Sequence, residues 1–152
     1  ETLTDNKNRT SSAIRSTFTK SGGNMAESGS VMWQFSQKGI VIVDAQDDLA
    51  EEMALTAIDA GADDFETYDS TLEIFASPSN LEEVRRALTG ISAEIRSSEL
   101  AMIPQNTIML DSKTAKQTLR LMDLLEDLDD VQKVYSNADF PDEALSEYGN
   151  ES

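Results

Sequence analysis

The spacing of apolar residues along the chain predicts short helices that alternate with short strands. The first helix covers residues 8–21, because Ile14 and Phe18 lie four positions apart and therefore on one face. Asn8 or Thr10 is expected to cap its start, and two glycines follow its end.

Two strands are predicted after this helix. Residues 31–35 alternate in polarity, which indicates a half-buried strand, and Gly39 is expected to end it. Residues 40–43 form a continuous apolar run that is typical of a second strand. The alternation favours a core position for Trp33 and Phe35, and stacking on nucleic-acid bases is the less favoured alternative.

The alternating pattern continues to residue 135. Asp48 and Glu51 resemble a capping box at the start of the next helix. Asp111 or Ser112 is expected to cap the helix with the strongest apolar periodicity. Further helices are predicted at 48–60, 81–90 and 112–128, and further strands at 64–68, 72–76, 95–103, 107–110 and 131–135.

The order of these elements predicts an α+β fold. Residues 40–103 supply the β-α-β-β-α-β order of a ferredoxin-like unit, and the flanking pieces supply most of a second one. We therefore expect two ferredoxin-like α/β-sandwich units, one inserted in the other. The split domain would contain residues 1–39 and 104–138, the inserted domain residues 40–103, and residues 139–152 an acidic, mobile tail.

Charge is unevenly distributed along the chain, whose net charge is −17. Residues 1–40 hold five basic and three acidic side chains, whereas residues 41–152 hold seven basic and 26 acidic ones. An acidic body repels nucleic-acid phosphate, so contact with nucleic acid is expected from the first 40 residues or from a part outside this sequence. Solubility alone explains the charge equally well.

Several classes of chemistry are disfavoured by composition. The sequence contains no Cys and no His, which removes thiol nucleophiles, imidazole catalysis and Cys/His zinc sites. Acidic clusters at residues 44–52 and 126–130 are better explained as solvated helix ends than as a metal site, although acids at the later helix end do not suit its dipole. We expect no enzyme, no cofactor, no metal, no small-molecule substrate and no membrane partner.

Two segments offer polar groups for contact with a partner. The first helix carries Arg9, Arg15 and Lys20, which suit either a phosphate-contacting surface or an ordinary solvated face. Pro104 fixes the backbone before two amides, Gln105 and Asn106, and this turn suits a rigid linker or a contact surface equally.

Several runs together resemble the YebC family, which includes the mitochondrial translational activator of cytochrome c oxidase subunit I. The likeness extends from about residue 3 to residue 143. The chain begins with Glu1, and we expect it to lack the family's helical N-terminal domain and the strand before Leu3. The runs lie at residues 5–10, 18–24, 27–31, 35–39, 60–64, 102–107, 124–132 and 134–139.

The resemblance implies a gene-expression factor in the bacterial cytoplasm, or in an organellar matrix or stroma. It implies either a ribosome-associated factor that contacts rRNA or tRNA and helps translation through proline-rich stretches, or a DNA-binding transcriptional regulator. A small-ligand sensor is a third alternative, from fold analogy alone. The expected contact residues are Asn8, Arg9, Thr10, Arg15, Lys20, Asn24, Ser28, Gln105 and Asn106.

Overall fold

The computed structural model describes residues 1–151, apart from the side chains at positions 47 and 151. Its helices and strands agree with the α+β prediction. In chain order they are α1 (Lys7–Lys20), β1 (Phe35–Asp44), α2 (Asp47–Asp59), β2 (Ala62–Tyr68), β3 (Thr71–Ala76), α3 (Leu81–Gly90), β4 (Glu94–Pro104), β5 (Ile108–Met109), α4 (Ser112–Glu126), β6 (Ala138–Asp139) and α5 (Asp142–Glu151).

The chain divides into two compact units. The inserted unit is the continuous stretch of residues 35–103, and the split unit combines residues 1–34 with the chain from Pro104 onward. The first boundary therefore follows residue 34, whereas the sequence predicted it after residue 39. The reason is that β1 is one unbroken strand that begins at Phe35.

The inserted unit has the predicted ferredoxin-like topology. Its four strands lie in the order β2-β3-β1-β4, and β3 pairs antiparallel with both β1 and β2. The core consists of alternate residues on one face of β1 and β3, together with one side each of α2 and α3. Its largest fully buried side chains are Leu72, Ile74, Leu88, Val41, Val43 and Val84.

Gly39 does not end a strand, as the sequence predicted, but lies inside β1. A Cβ atom at this position would lie 2.8 Å from Leu81 Cδ1 and 2.9 Å from Leu81 Cβ. The glycine therefore provides the space in which the first residue of α3 packs against the strand.

Residues 31–34 do not form the predicted strand. A 3-10 turn covers Met32–Gln34, and the Trp33 indole N–H donates to the Ser30 carbonyl at 3.0 Å. Two predicted caps are also wrong. Asn6 caps α1, since its side chain accepts from the Arg9 backbone N–H at 3.1 Å, and Gln46 precedes α2 without a side-chain cap.

The split unit has the helices of the second predicted α/β unit and a small parallel sheet, in which β5 pairs with β6. The strand predicted at residues 131–135 is wrong. Only Val131 forms a bridge, with Thr2, while the backbone N–H of Gln132 donates to the Glu1 carbonyl at 2.8 Å.

The segment after residue 139 is a helix rather than the predicted patternless tail. Ala144 is fully buried, the Tyr148 hydroxyl donates to Asp123, and Lys116 pairs with Glu147. These contacts hold α5 against α4. Among the described residues, no helix is long and apolar enough to cross a membrane.

A polar link joins the two chain segments of the split unit. The Arg9 guanidinium forms a bidentate pair with Asp130, with Nη2 at 3.0 Å from Oδ1 and Nε at 3.2 Å from Oδ2. The Thr10 hydroxyl donates to Asp130 Oδ2 at 2.7 Å, and Thr10 is only 5% exposed. These hydrogen bonds, that of Thr10 first and that of Arg9 second, lower the pKa of Asp130.

The close approach of Leu81 to Gly39 predicts that alanine destabilises the fold at position 39 but not at position 90. Gly39→Ala should lower the free energy of unfolding by about 1–3 kcal/mol, because the new methyl group overlaps Leu81. Gly90→Ala is the control, since no atom lies within 4 Å of its added Cβ and alanine favours the helix. Urea denaturation measures both, and equal midpoints for the two variants would contradict the packing argument.

The Asp130 link predicts a pH-dependent contribution to stability. Because its pKa lies below the ordinary 3.8 when folded, the carboxylate stabilises the fold above that value and loses the effect as pH falls through the folded pKa. Asp130→Asn should therefore lower the melting temperature at about pH 7 and much less at about pH 2. Asp129→Asn changes the same charge outside the link and serves as the control. A melting-temperature difference for Asp130→Asn that stays constant with pH would show that the carboxylate charge is not what stabilises the link.

Candidate nucleic-acid interface

Helix α1 presents two different faces. One face packs towards α4 and includes the buried Thr10, with Ile14 and Phe18 half-buried beside it. The opposite face is exposed and spans roughly 140° of the helix circumference at 100° per residue. This α1 face consists of Asn8, Ser12, Arg15, Ser16, Thr19 and Lys20. Arg9 lies in the same arc, but it is ion-paired and is not counted in this face.

The charge around the α1 face contrasts with that of the rest of the chain. Residues 6–26 hold four basic side chains and no acidic one, whereas residues 35–103 hold four basic and 15 acidic ones. Hydroxyl, amide and cationic groups in a segment that contains no carboxylate suit the phosphate oxygens of a nucleic-acid backbone. The α1 segment is therefore the candidate contact surface.

The cations of α1 differ in their availability. Among the described residues, no carboxylate forms an ion pair with Lys7, Arg15 or Lys20. Arg9 is instead engaged by Asp130 and Asp5, and these carboxylates raise its pKa. Arg15 and Lys20 thus remain candidates for direct contact, and Arg9 acts within the fold.

Thr10 was expected to be exposed, and this expectation is wrong. Its side chain is directed into the link with Asp130, so it cannot reach a partner without breaking that hydrogen bond. Asn8 is exposed at the start of the α1 face. Asn24 and Ser28 are exposed in the loop that follows α1, where Gly22 has a φ of +82°, a conformation that favours glycine.

Gln105 and Asn106 form a second exposed group, in the turn after β4. The Gln105 backbone N–H donates to the Gln34 carbonyl at 2.8 Å, and Asn137 Nδ2 donates to Gln34 Oε1 at 3.0 Å. These bonds attach the turn to the 3-10 turn that contains Trp33. Within residues 1–151, no hydrogen bond or ion pair joins this group to the α1 face.

Trp33 was expected in the core, and the structure overturns that expectation. It is 72% exposed, and its neighbours Val31 and Met32 are 52% and 62% exposed. The sequence feature that argued against a strand here is the preceding Gly29. Its φ of +80° turns the chain just before this segment. The exposed aromatic residue therefore precedes Gln34, whose carbonyl binds the turn that carries the exposed amides.

The acidic clusters, where the structure describes them, form ion pairs and helix ends rather than a metal-binding group. Asp44 pairs with Arg96, and the side chain of Asp47 lies outside the described residues. Where the structure describes side chains, no group of three or more carboxylates is placed to hold a metal ion. In the later cluster, Asp130 closes the link to α1, which gives a structural reason for one acid near the end of α4.

Comparison with known proteins supports a family assignment. A family model described as the TACO1/YebC second and third domain matches residues 1–138. A "probable transcriptional regulatory protein" of Halothermothrix orenii is 47% identical over 154 residues, covering 99% of this chain and 61% of that protein. One of the same description from Thermomicrobium roseum is 46% identical over 144 residues, covering 95% of this chain and 58% of that protein.

A solved structure agrees with this assignment. The crystal structure of a conserved hypothetical protein from Aquifex aeolicus matches with a TM-score of 0.83 and 37% identity, covering 93% of this chain and 58% of that one. The chain spans about 60% of the length of the curated relatives it matches. Taken with the ferredoxin-like inserted unit and the discontinuous split unit, these matches show that the chain belongs to the TACO1/YebC family, in the part that forms its second and third domains.

Proposed function

We propose that this chain is part of a ribosome-associated translation factor that helps translation through proline-rich stretches. The observation that carries the proposal is the α1 face, a cationic and hydroxyl-bearing surface on an otherwise acidic chain. Family membership supports a role in gene expression. The partner is rRNA or tRNA, contacted through phosphate oxygens.

The charge distribution favours a local RNA contact over binding along a duplex. Arg15 and Lys20 supply affinity for phosphate without reading sequence. The large acidic excess elsewhere opposes an extended path of phosphates, because like charges repel at close range. A folded RNA within a large particle can meet the α1 face alone and leave the acidic surfaces in solvent.

The proposal assigns binding and no catalytic step to this chain. We also propose that it uses no cofactor and acts in the bacterial cytoplasm or in an organellar matrix or stroma. The absence of Cys and His from the sequence supports the non-enzymatic part, because thiol nucleophiles and imidazole general bases are missing.

DNA-binding transcriptional regulation is the second candidate. The names of the relatives from Halothermothrix orenii and Thermomicrobium roseum favour it, since both are called probable transcriptional regulatory proteins. The α1 face would serve this function as well, through the same phosphate contacts. Sequence specificity would then need base-reading groups in addition.

Ribosome binding should depend on the α1 face and on salt. In sedimentation through a sucrose cushion with purified ribosomes, the chain should pellet at low salt and less at moderate salt. Arg15→Glu with Lys20→Glu should weaken binding by at least about tenfold at low salt and reduce the salt slope by about two, one for each lost phosphate contact.

A matched control separates this effect from net charge. Lys113→Glu with Arg120→Glu makes the same charge change on α4 and should leave pelleting nearly unchanged. Equal losses for the two double variants would contradict a specific role for the α1 face. Failure of the unaltered chain to pellet, also with ribosomes stalled on a proline run, would favour the DNA-binding candidate.

The DNA-binding candidate makes a separate prediction. Under the ribosomal proposal, any mobility shift of duplex DNA should be weak, independent of sequence and abolished by competitor DNA. A shift that survives excess competitor and depends on base sequence would establish the regulator instead.

A further inference from the structure

Trp33 donates a hydrogen bond to the backbone while most of its surface faces solvent. Its indole N–H donates to the Ser30 carbonyl at 3.0 Å, and the residue is 72% exposed. A buried tryptophan contributes to the core, but an exposed one that is fixed by its own hydrogen bond offers a flat ring to a partner. The adjacent Val31 and Met32 extend the apolar surface around it.

The residue after Trp33 anchors two chain segments beside it. The Gln34 carbonyl accepts from the Gln105 backbone N–H, and the Gln34 side chain accepts from Asn137. The main-chain bond therefore holds the 3-10 turn against the turn at Gln105, and the side-chain bond holds it against the segment at Asn137. The side chains of Gln105 and Asn106 stay exposed, and each offers both donors and an acceptor.

An aromatic ring beside free amides suits an unpaired nucleobase. A base has a π-face that stacks on indole, and its edge carries donors and acceptors that amide side chains can match. Bases in a duplex are stacked on one another and cannot reach such a ring, whereas bases in loops and single strands can.

We propose that Trp33 is the stacking platform for an unpaired RNA base, with Gln105 and Asn106 placed to contact the edge of that base. Charge supports a nucleic acid as the occupant, because residues 6–26 of the same unit hold four basic and no acidic side chains, and Glu27 is the one acid between them and Trp33. The inference rests on the proposed RNA contact and adds the class of group that is recognised. The alternative occupant is the surface of a partner protein that covers Trp33, and the experiment below distinguishes it from RNA.

The sequence contains one tryptophan, so the intrinsic fluorescence of the chain reports on this position alone. Titration with single-stranded oligoadenylate or oligouridylate should quench the emission of Trp33. An abasic oligonucleotide of equal length should bind through its phosphates without quenching. Anisotropy of a labelled end of each oligonucleotide measures binding independently of stacking.

Substitution separates stacking from charge. Trp33→Ala should weaken binding of the base-bearing strands by about 5- to 150-fold, the range expected for loss of one stacked base, and should not weaken binding of the abasic strand. Trp33→Tyr should restore most of the affinity because tyrosine also stacks. Leu3→Ala is the control, because it removes another large side chain of the same unit that is 74% exposed. It should change neither the affinity for the base-bearing strands nor that for the abasic strand.

Each result has a distinct meaning. Binding of both strands without quenching would overturn the Trp33 site and leave the proposed phosphate contact intact. Quenching by the abasic strand would also overturn it, because no base is present to stack. Protection of Trp33 from acrylamide in the free chain would show that protein covers the ring and would overturn the inference. If neither strand binds at low salt, the proposed RNA contact fails and the stacking site with it.

Discussion

The hydrogen-bonded pair between Arg9 and Asp130 is the interaction on which the split unit depends. It joins residues 121 positions apart in the chain, and Thr10 adds a 2.7 Å hydrogen bond to the same carboxylate. Apolar burial in this unit is thin, with Ala115, Leu125 and Ala144 as its buried hydrophobic residues among those described. The directional link therefore orients α1 in the split unit. The inserted unit, by contrast, is stabilised by a denser core of branched side chains.

The same link determines which cations of α1 can act outside the fold. Arg9 pairs with Asp130 and Asp5, whereas Arg15 and Lys20 are exposed on the same helix and no ion pair engages them among the described residues. Because the segment holds no acid, nothing in its own sequence neutralises these charges. Within one basic helix, Arg9 thus contributes to the stability of the fold, and Arg15 and Lys20 are available for the proposed phosphate contact. The acidic remainder limits the contact to that helix and its neighbouring loop.

Local pattern predicted the helices well and failed where a distant contact decides the outcome. The apolar spacing of Ile14 and Phe18 gave α1, and the element order gave the ferredoxin-like unit. The sequence wrongly predicted that Gly39 ends a strand. The glycine is needed because Leu81 packs against it, and Leu81 is too distant in the sequence for a local pattern to show this contact. Similar limits apply to the site: the exposed residues of the α1 face were predictable, but the burial of Thr10 and the exposure of Trp33 depend on tertiary contacts and on a turn.

The proposed role requires that the α1 face meet RNA phosphates on the ribosome. A cryo-electron microscopy structure of the protein bound to ribosomes stalled on a proline run tests it most directly. We expect Arg15 and Lys20 within ion-pairing distance of phosphate oxygens, with Arg9 still bound to Asp130. A bound structure in which the α1 face points into solvent, or in which only the inserted unit touches the ribosome, would contradict it.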